Sequence, residues 1–99
     1  MKPDGRTKEL KETDNEQRRL SSVTNAMRLL KTFSDERYEI GIIDLGTHLQ
    51  LSKSTVHRLA VALVDTGLLE QNPKNSKYRL GGVILELSYV MQHGARSSQ

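Results

Sequence analysis

Apolar residues are scarce over positions 1–20, become periodic over 21–92 and are scarce again to the end of the chain. Val23, Ala26, Met27, Leu30 and Phe33 recur at i, i+3, i+4, i+7 and i+10, the stripe of an amphipathic helix that Ser21 or Ser22 can cap. Ile42, Leu45, Gly46 and Leu49 predict a second, shorter helix. Gly41 stands at its N-cap, Asp44 falls in its first turn, where negative charge suits the helix dipole, and residues 38–40 read as a short strand leading into it. Gln50-Leu51-Ser52 breaks the period, and a third helix follows over 53–66, capped by Ser52 and closed by Gly67. Leu68-Leu69-Glu70 and Lys77-Tyr78-Arg79-Leu80 then flank the polar loop 71–76, which predicts a hairpin with a projecting tip. Val83, Ile84, Leu87, Val90 and Met91 mark a fourth helix. Leu85 and Tyr89 widen its apolar face beyond what a domain of this size can cover, so that helix needs a partner.

The fold class that follows is mainly α with a small β hairpin: a winged helix-turn-helix with a three-helix core, a two- to three-stranded wing and a C-terminal helix. Four segments are expected. Residues 1–20 hold six Lys/Arg interleaved with five Asp/Glu and almost nothing to bury, and read as a disordered polar tail, with at most a weakly helical stretch over 9–19. Residues 21–81 form the winged domain, 82–92 a fourth helix in need of a partner, and 93–99 a flexible tail.

Length and composition narrow the function classes. At 99 residues only about 60–65% of the unfolded chain's surface can be buried, too little to wall off a large ligand cavity, so an enzyme is not expected. There is no cysteine for a disulfide or a thiolate metal site. His48, His57 and His93 sit on separate predicted elements without metal-site spacing, and neither a metal, a cofactor nor a catalytic residue is expected. No signal peptide or membrane span is visible, and the expected location is the cytoplasm. The net charge of +3 permits a polyanionic partner without requiring one, so its distribution decides.

That distribution is informative over residues 42–61. Two helices crossing closely around a tight turn need apolar residues at the crossing and a small residue where the backbones meet. Leu45, Leu49, Leu51, Val56 and Leu59 fill the apolar positions and Gly46 the small one. Gln50 stands where the turn calls for a left-handed residue, usually glycine, at a strain of about 1 kcal/mol. Burying Val56, Leu59, Ala60 and Leu63 leaves Lys53, Ser54, His57, Arg58 and Val61 on the outward face of the third helix. Arginine can fork onto guanine, lysine and serine can meet phosphates or base acceptors, and valine can touch a thymine methyl. Ser52, Ser54 and Thr55 lie at the helix N-terminus, a natural seat for a phosphate. Lys74, Lys77 and Arg79 add a second basic cluster on the wing. Arg18 and Arg19 could enter a minor groove as an arm, although so balanced a charge run is ordinarily a solvated segment.

The run Leu51-Ser52-Lys53-Ser54-Thr55-Val56-His57-Arg58-Leu59, followed by Leu63, Gly67-Leu68-Leu69 and Lys77-Tyr78-Arg79-Leu80-Gly81, resembles the N-terminal domain of IclR-type transcriptional regulators. The resemblance covers residues 21–91 and implies a bacterial repressor or activator whose winged domain binds double-stranded operator DNA as a homodimer. It further implies that 82–92 is a linker and dimerisation helix leading to a C-terminal effector-binding domain. No residues remain here for that domain, and a fragment of a longer regulator is expected rather than a stand-alone head. Gln50, Gly41 and Ala60 depart from the family pattern without touching the outward face. In this reading the third helix enters the major groove, the wing over 71–77 lies on the backbone, and two copies pair through their first and fourth helices. The alternative is a winged helix used for protein contacts, which would carry apolar or acidic residues on that face in place of Lys53, His57 and Arg58.

Overall fold

The computed structural model describes the backbone of residues 4–97 and the side chains of residues 14–94. Six elements follow in order: α1 (Asp4–Leu30), α2 (Ile42–Leu49), α3 (Lys53–Asp65), β1 (Leu69–Gln71), β2 (Tyr78–Leu80) and α4 (Gly82–Ser97). They form a winged helix-turn-helix, mainly helical, with one antiparallel hairpin.

The first helix is longer than the apolar stripe predicts. It begins at Asp4 and runs through the segment expected to be a disordered tail, so Ser21 and Ser22 lie inside it and neither caps it. Residues 14–24 are all exposed, so this stretch gains nothing from the core. The sequence offers opposite charges there at helical spacing, Asp14 four residues before Arg18 and Glu16 three before Arg19, and neither pair closes to an ion pair. Among the described side chains of α1, only those of the last two turns cover the core. Leu29, outside the predicted stripe, is the fully buried residue of α1, with Ala26, Leu30 and Phe33 packed beside it. Val23 and Met27, expected inside, are 55% and 48% exposed. They continue a neighbouring stripe with Leu20, and the core takes the face centred on Leu29 instead.

The helix-turn-helix is built as its residues require. Gln50 adopts the left-handed conformation (φ 60°, ψ 44°) and donates its backbone N–H to Gly46 O, as Leu51 does at 3.1 Å. A Cβ on Gly46 would stand 3.0 Å from that same region of backbone, at Leu51 O, which is why the crossing takes a glycine. Gly41 is the N-cap of α2, without a side-chain hydrogen bond. Ser52 caps α3 by accepting the Thr55 backbone N–H at 3.2 Å. At the other end Gly67, at φ 82°, donates its N–H to Val64 O while Leu68 N donates to Leu63 O. That paired closure satisfies the last carbonyls of α3 and turns the chain into the hairpin.

In the hairpin Leu69 pairs with Leu80, Glu70 with Arg79 and Gln71 with Tyr78, one residue later on the first strand than the sequence pattern places it. Ile40 bridges Tyr78 through two backbone hydrogen bonds of 2.9 Å, so the segment ahead of α2 contributes a one-residue third strand. Leu29, Ile40, Leu45, Leu49, Val56, Ala60, Leu63, Leu69 and Tyr78 form a single core to which α1, α2, α3 and the sheet all contribute. The last helix does not stop at residue 92. It continues through His93 and Gly94, read as flexible tail, to Ser97, with the Tyr89 and His93 rings stacked one turn apart at 3.8 Å. Val83 and Ile84 are half-buried against the domain, whereas Leu85, Leu87, Tyr89, Val90 and Met91 are exposed. Among the described residues no helix is long and apolar enough to cross a membrane.

Candidate nucleic-acid interface

Helix α3 divides as its sequence predicts. Val56, Ala60 and Leu63 are buried and Leu59 half-buried, while Lys53, Ser54, His57, Arg58 and Val61 are exposed. Among the described residues, Lys53, His57 and Arg58 form no ion pair and no side-chain hydrogen bond, which leaves their donors available to a ligand. Ser52 and Thr55 are differently placed. The Ser52 hydroxyl donates to Thr55 Oγ1 at 2.9 Å and accepts the Thr55 N–H, so the two close the start of the helix on each other. Any anion there would meet the free backbone N–H groups of the first turn.

Two further elements border this face. An open cleft of about 500 Å³ is lined by Arg58 together with Asp14, Gln17, Arg18, Ser21 and Ser22, so the middle of α1 runs beside the outward side of α3 and brings Arg18, though not Arg19, near Arg58. A second cleft, of about 260 Å³, separates α2 from the start of α3 and is lined by Ile43, Thr47 and Lys53 among others. Ile43 is 65% exposed there, an apolar position that the sequence pattern places on the second helix without singling it out.

On the wing, Lys74 and Lys77 are exposed at the tip, and the stem of Lys77 lies beside Gly41 at the start of α2. Arg79 is not free. Its Nε donates to Glu70 Oε1 at 2.9 Å and its Nη1 to Glu39 Oε2 at 3.2 Å. Glu39 also accepts the side-chain amides of Asn72 and Asn75, each at 3.1 Å. These two amides, with the Arg79 guanidinium, hold the Glu39 carboxyl below its ordinary range despite partial burial, so it stays ionised at neutral pH. The hydrogen bond that Arg79 donates to Glu70 raises the Arg79 pKa above its ordinary value. Sequence reading missed Glu39 because its partners lie 33 to 40 residues away. It also missed Arg28, whose guanidinium donates to Leu49 O at 3.2 Å and to Asn25 Oδ1 at 2.9 Å, fixing the end of α2 against α1. Among the described residues no three His, Cys, Asp or Glu side chains gather as a metal site.

The IclR helix-turn-helix domain model matches residues 22–73, from α1 through the turn and α3 into the wing. The chain is 40% identical over 72 residues to the HTH-type transcriptional regulator XynR of Escherichia coli, a match covering 73% of this chain and 29% of that one. It is 30% identical over 82 residues to the glycerol operon regulatory protein of Streptomyces griseus, covering 81% of this chain and 32% of that protein. Its fold is similar to a crystal structure of a putative IclR transcriptional regulator from a Silicibacter species (TM-score 0.70, 36% identity, 73% of this chain and 28% of that one). It is likewise similar to an IclR homologue from Microbacterium hydrocarbonoxydans crystallised with 4-hydroxybenzoate (TM-score 0.62, 33% identity, 67% and 27%). The chain spans less than a third of the length of these relatives. The matched residues hold the glycine crossing, the left-handed turn and the Ser52 cap described above, and by them this chain belongs to the IclR helix-turn-helix family.

Proposed function

We propose that this chain is the operator-binding domain of a bacterial transcriptional regulator, working in the cytoplasm, with α3 in the major groove and the wing on the adjacent backbone. The observation that carries the reading is the outward face of α3, where Lys53, His57 and Arg58 have no partner among the described residues and stand beside Ser54 and Val61. Arg58 is assigned to a base edge, Val61 to a thymine methyl, and Lys53 and Ser54 to the phosphate at the helix start. His57 flanks the same groove. Ser52 and Thr55 act through the first turn they cap, offering its backbone N–H groups to that phosphate. Lys74 and Lys77 reach phosphates from the wing tip, and Arg79, held by Glu39 and Glu70, shapes the wing.

The regulator works as a homodimer. Leu20, Val23 and Met27 on α1 and Leu85, Leu87, Tyr89, Val90 and Met91 on α4 are exposed apolar positions on the two elements that project from the core. Pairing them buries that surface and sets two α3 helices in successive major grooves, about 34 Å apart. Sequencing the duplexes retained by the purified chain from a random pool tests the whole reading. The expected outcome is an inverted repeat with half-site centres separated by about 10–10.5 base pairs. A retained pool as random as the input would refute it.

A further inference from the structure

The residues that hold the wing tip are linked in a way that the basic face alone does not require. Glu39, just ahead of α2, presents both carboxylate oxygens to the loop between β1 and β2. Oε2 accepts from Asn72 Nδ2 and Arg79 Nη1, and Oε1 accepts from Asn75 Nδ2. Each asparagine then uses its other amide atom. Asn72 Oδ1 accepts the backbone N–H of Lys74 and Asn75 Oδ1 that of Lys77, both at 2.9 Å. Every asparagine amide is therefore a two-ended strut, with the carboxylate at one end and the backbone of a lysine at the other. The remaining bonds close the same turn: Ser76 N donates to Asn72 O at 2.7 Å and Asn72 N to Lys77 O at 2.8 Å. Ser76 holds a left-handed φ of 63° between them.

We infer that Glu39 is the positioning residue of the wing, fixing through Asn72 and Asn75 where Lys74 and Lys77 stand against the DNA backbone. This rests on the DNA-binding reading above. An unanchored loop tip would have to be ordered on binding, and that ordering would be subtracted from affinity. Here it is ordered beforehand, and the two lysine side chains, without partners among the described residues, remain free to reach phosphates. The charge of Glu39 makes the idea testable by sign. A carboxylate near a polyanion weakens attraction, so removing it tightens binding if only the electrostatic field matters. If it positions the wing, removing it weakens binding.

The test uses the whole chain and a short fluorescent duplex of random sequence, since backbone contacts do not depend on sequence. In the free protein, Glu39→Ala is expected to speed amide hydrogen exchange at Lys74 and Lys77 while leaving α3 unchanged. On the duplex it is expected to weaken binding by about five- to tenfold and to flatten the salt dependence by about 0.9 in log–log slope for each phosphate that the wing no longer reaches. Glu39→Gln, which keeps the side-chain volume and one carbonyl acceptor, falls between wild type and Glu39→Ala. In a background carrying both Lys74→Ala and Lys77→Ala, Glu39→Ala causes no further weakening, and the loss of its charge leaves binding equal or slightly tighter. Unchanged exchange at the two lysines, equal or tighter binding by Glu39→Ala, or an undiminished effect in the lysine-free background each overturns the inference. If the wild-type chain itself binds the duplex without salt dependence, the DNA-binding reading fails, and the positioning role fails with it.

Discussion

At the scale of single residues the decisive distinction lies between cations that are free and cations already spent. Arg58 and Arg79 are the same side chain on neighbouring elements, yet Arg58 has no partner among the described residues while Arg79 is bonded to two carboxylates. A guanidinium with no internal partner can place two parallel N–H groups on one guanine edge, and that pairing discriminates between bases by about 1–3 kcal/mol. Arg58→Ala should therefore lose that much affinity on a selected operator and relax preference at one position per half-site. Lys74→Ala should weaken every duplex alike. Anisotropy titrations of both variants against operator and random duplex separate the two roles, and equal weakening on both duplexes for Arg58→Ala would remove it from base reading. Residue type alone pointed to all of these cations. It could not say that Arg79 was already committed, because Glu39 is distant in sequence and carries no local pattern.

At the scale of elements, legibility followed the density of packing constraints, high at the turn between α2 and α3 and low on α1, where the buried Leu29 fell outside the stripe that Val23 and Met27 suggested. The turn between α2 and α3 was readable because six positions within 15 residues must satisfy one crossing, and each of Leu45, Gly46, Leu49, Leu51, Val56 and Leu59 does so. The start of α1 and the end of α4 were not readable. A stretch with so few apolar residues has no apolar period to mark it as helix, and Gly94 and Ser97 are residues that read as loop. The same elements hold a pair of opposite predictions about backbone strain. Gln50 occupies the left-handed region with a side chain, at a cost of about 1–2 kcal/mol. Gln50→Gly should stabilise the fold by about 0.5–1 kcal/mol, after allowing for the extra freedom glycine gives the unfolded chain. Gly67 sits at φ 82°, and a Cβ there would stand 2.6 Å from Val83 Cγ2. Gly67→Ala should destabilise by about 2 kcal/mol or more, from backbone strain together with displacement of the first turn of α4. Denaturant unfolding monitored by helical circular dichroism reads both, and equal signs would mean that the turn relaxes around its residue.

The whole molecule is more extended than its core requires. Its radius of gyration is 17.9 Å, against about 13 Å for a closely packed chain of this length, because α1 and α4 reach beyond the domain they frame. Those elements also carry most of the exposed large apolar side chains, eight of the thirteen among the described residues, whereas the exposed positions of α3 and the wing tip are mostly polar or basic. Apart from Ile43, Val61 and Val64, the apolar surface of the helices thus lies mostly away from the face proposed to meet DNA, the arrangement expected when one surface holds two copies together and the other meets a duplex. Leu87 and Met91, four residues apart on α4 and 56% and 69% exposed, belong neither to the core nor to the reading face, which makes them suitable for separating assembly from recognition. Replacing both with glutamate should leave the melting transition of the core near its wild-type value and shift the chain from dimer to monomer in sedimentation equilibrium. Two half-sites held by a dimer gain affinity because the second binding step is intramolecular, an advantage of about 10²–10⁴. The doubly substituted chain should lose that advantage on a full inverted repeat and keep its affinity for an isolated half-site. If the glutamates leave the dimer intact, α4 is not the joint. If they break the dimer and full-repeat affinity survives, each α3 reads its groove alone and the symmetry of the target has another origin.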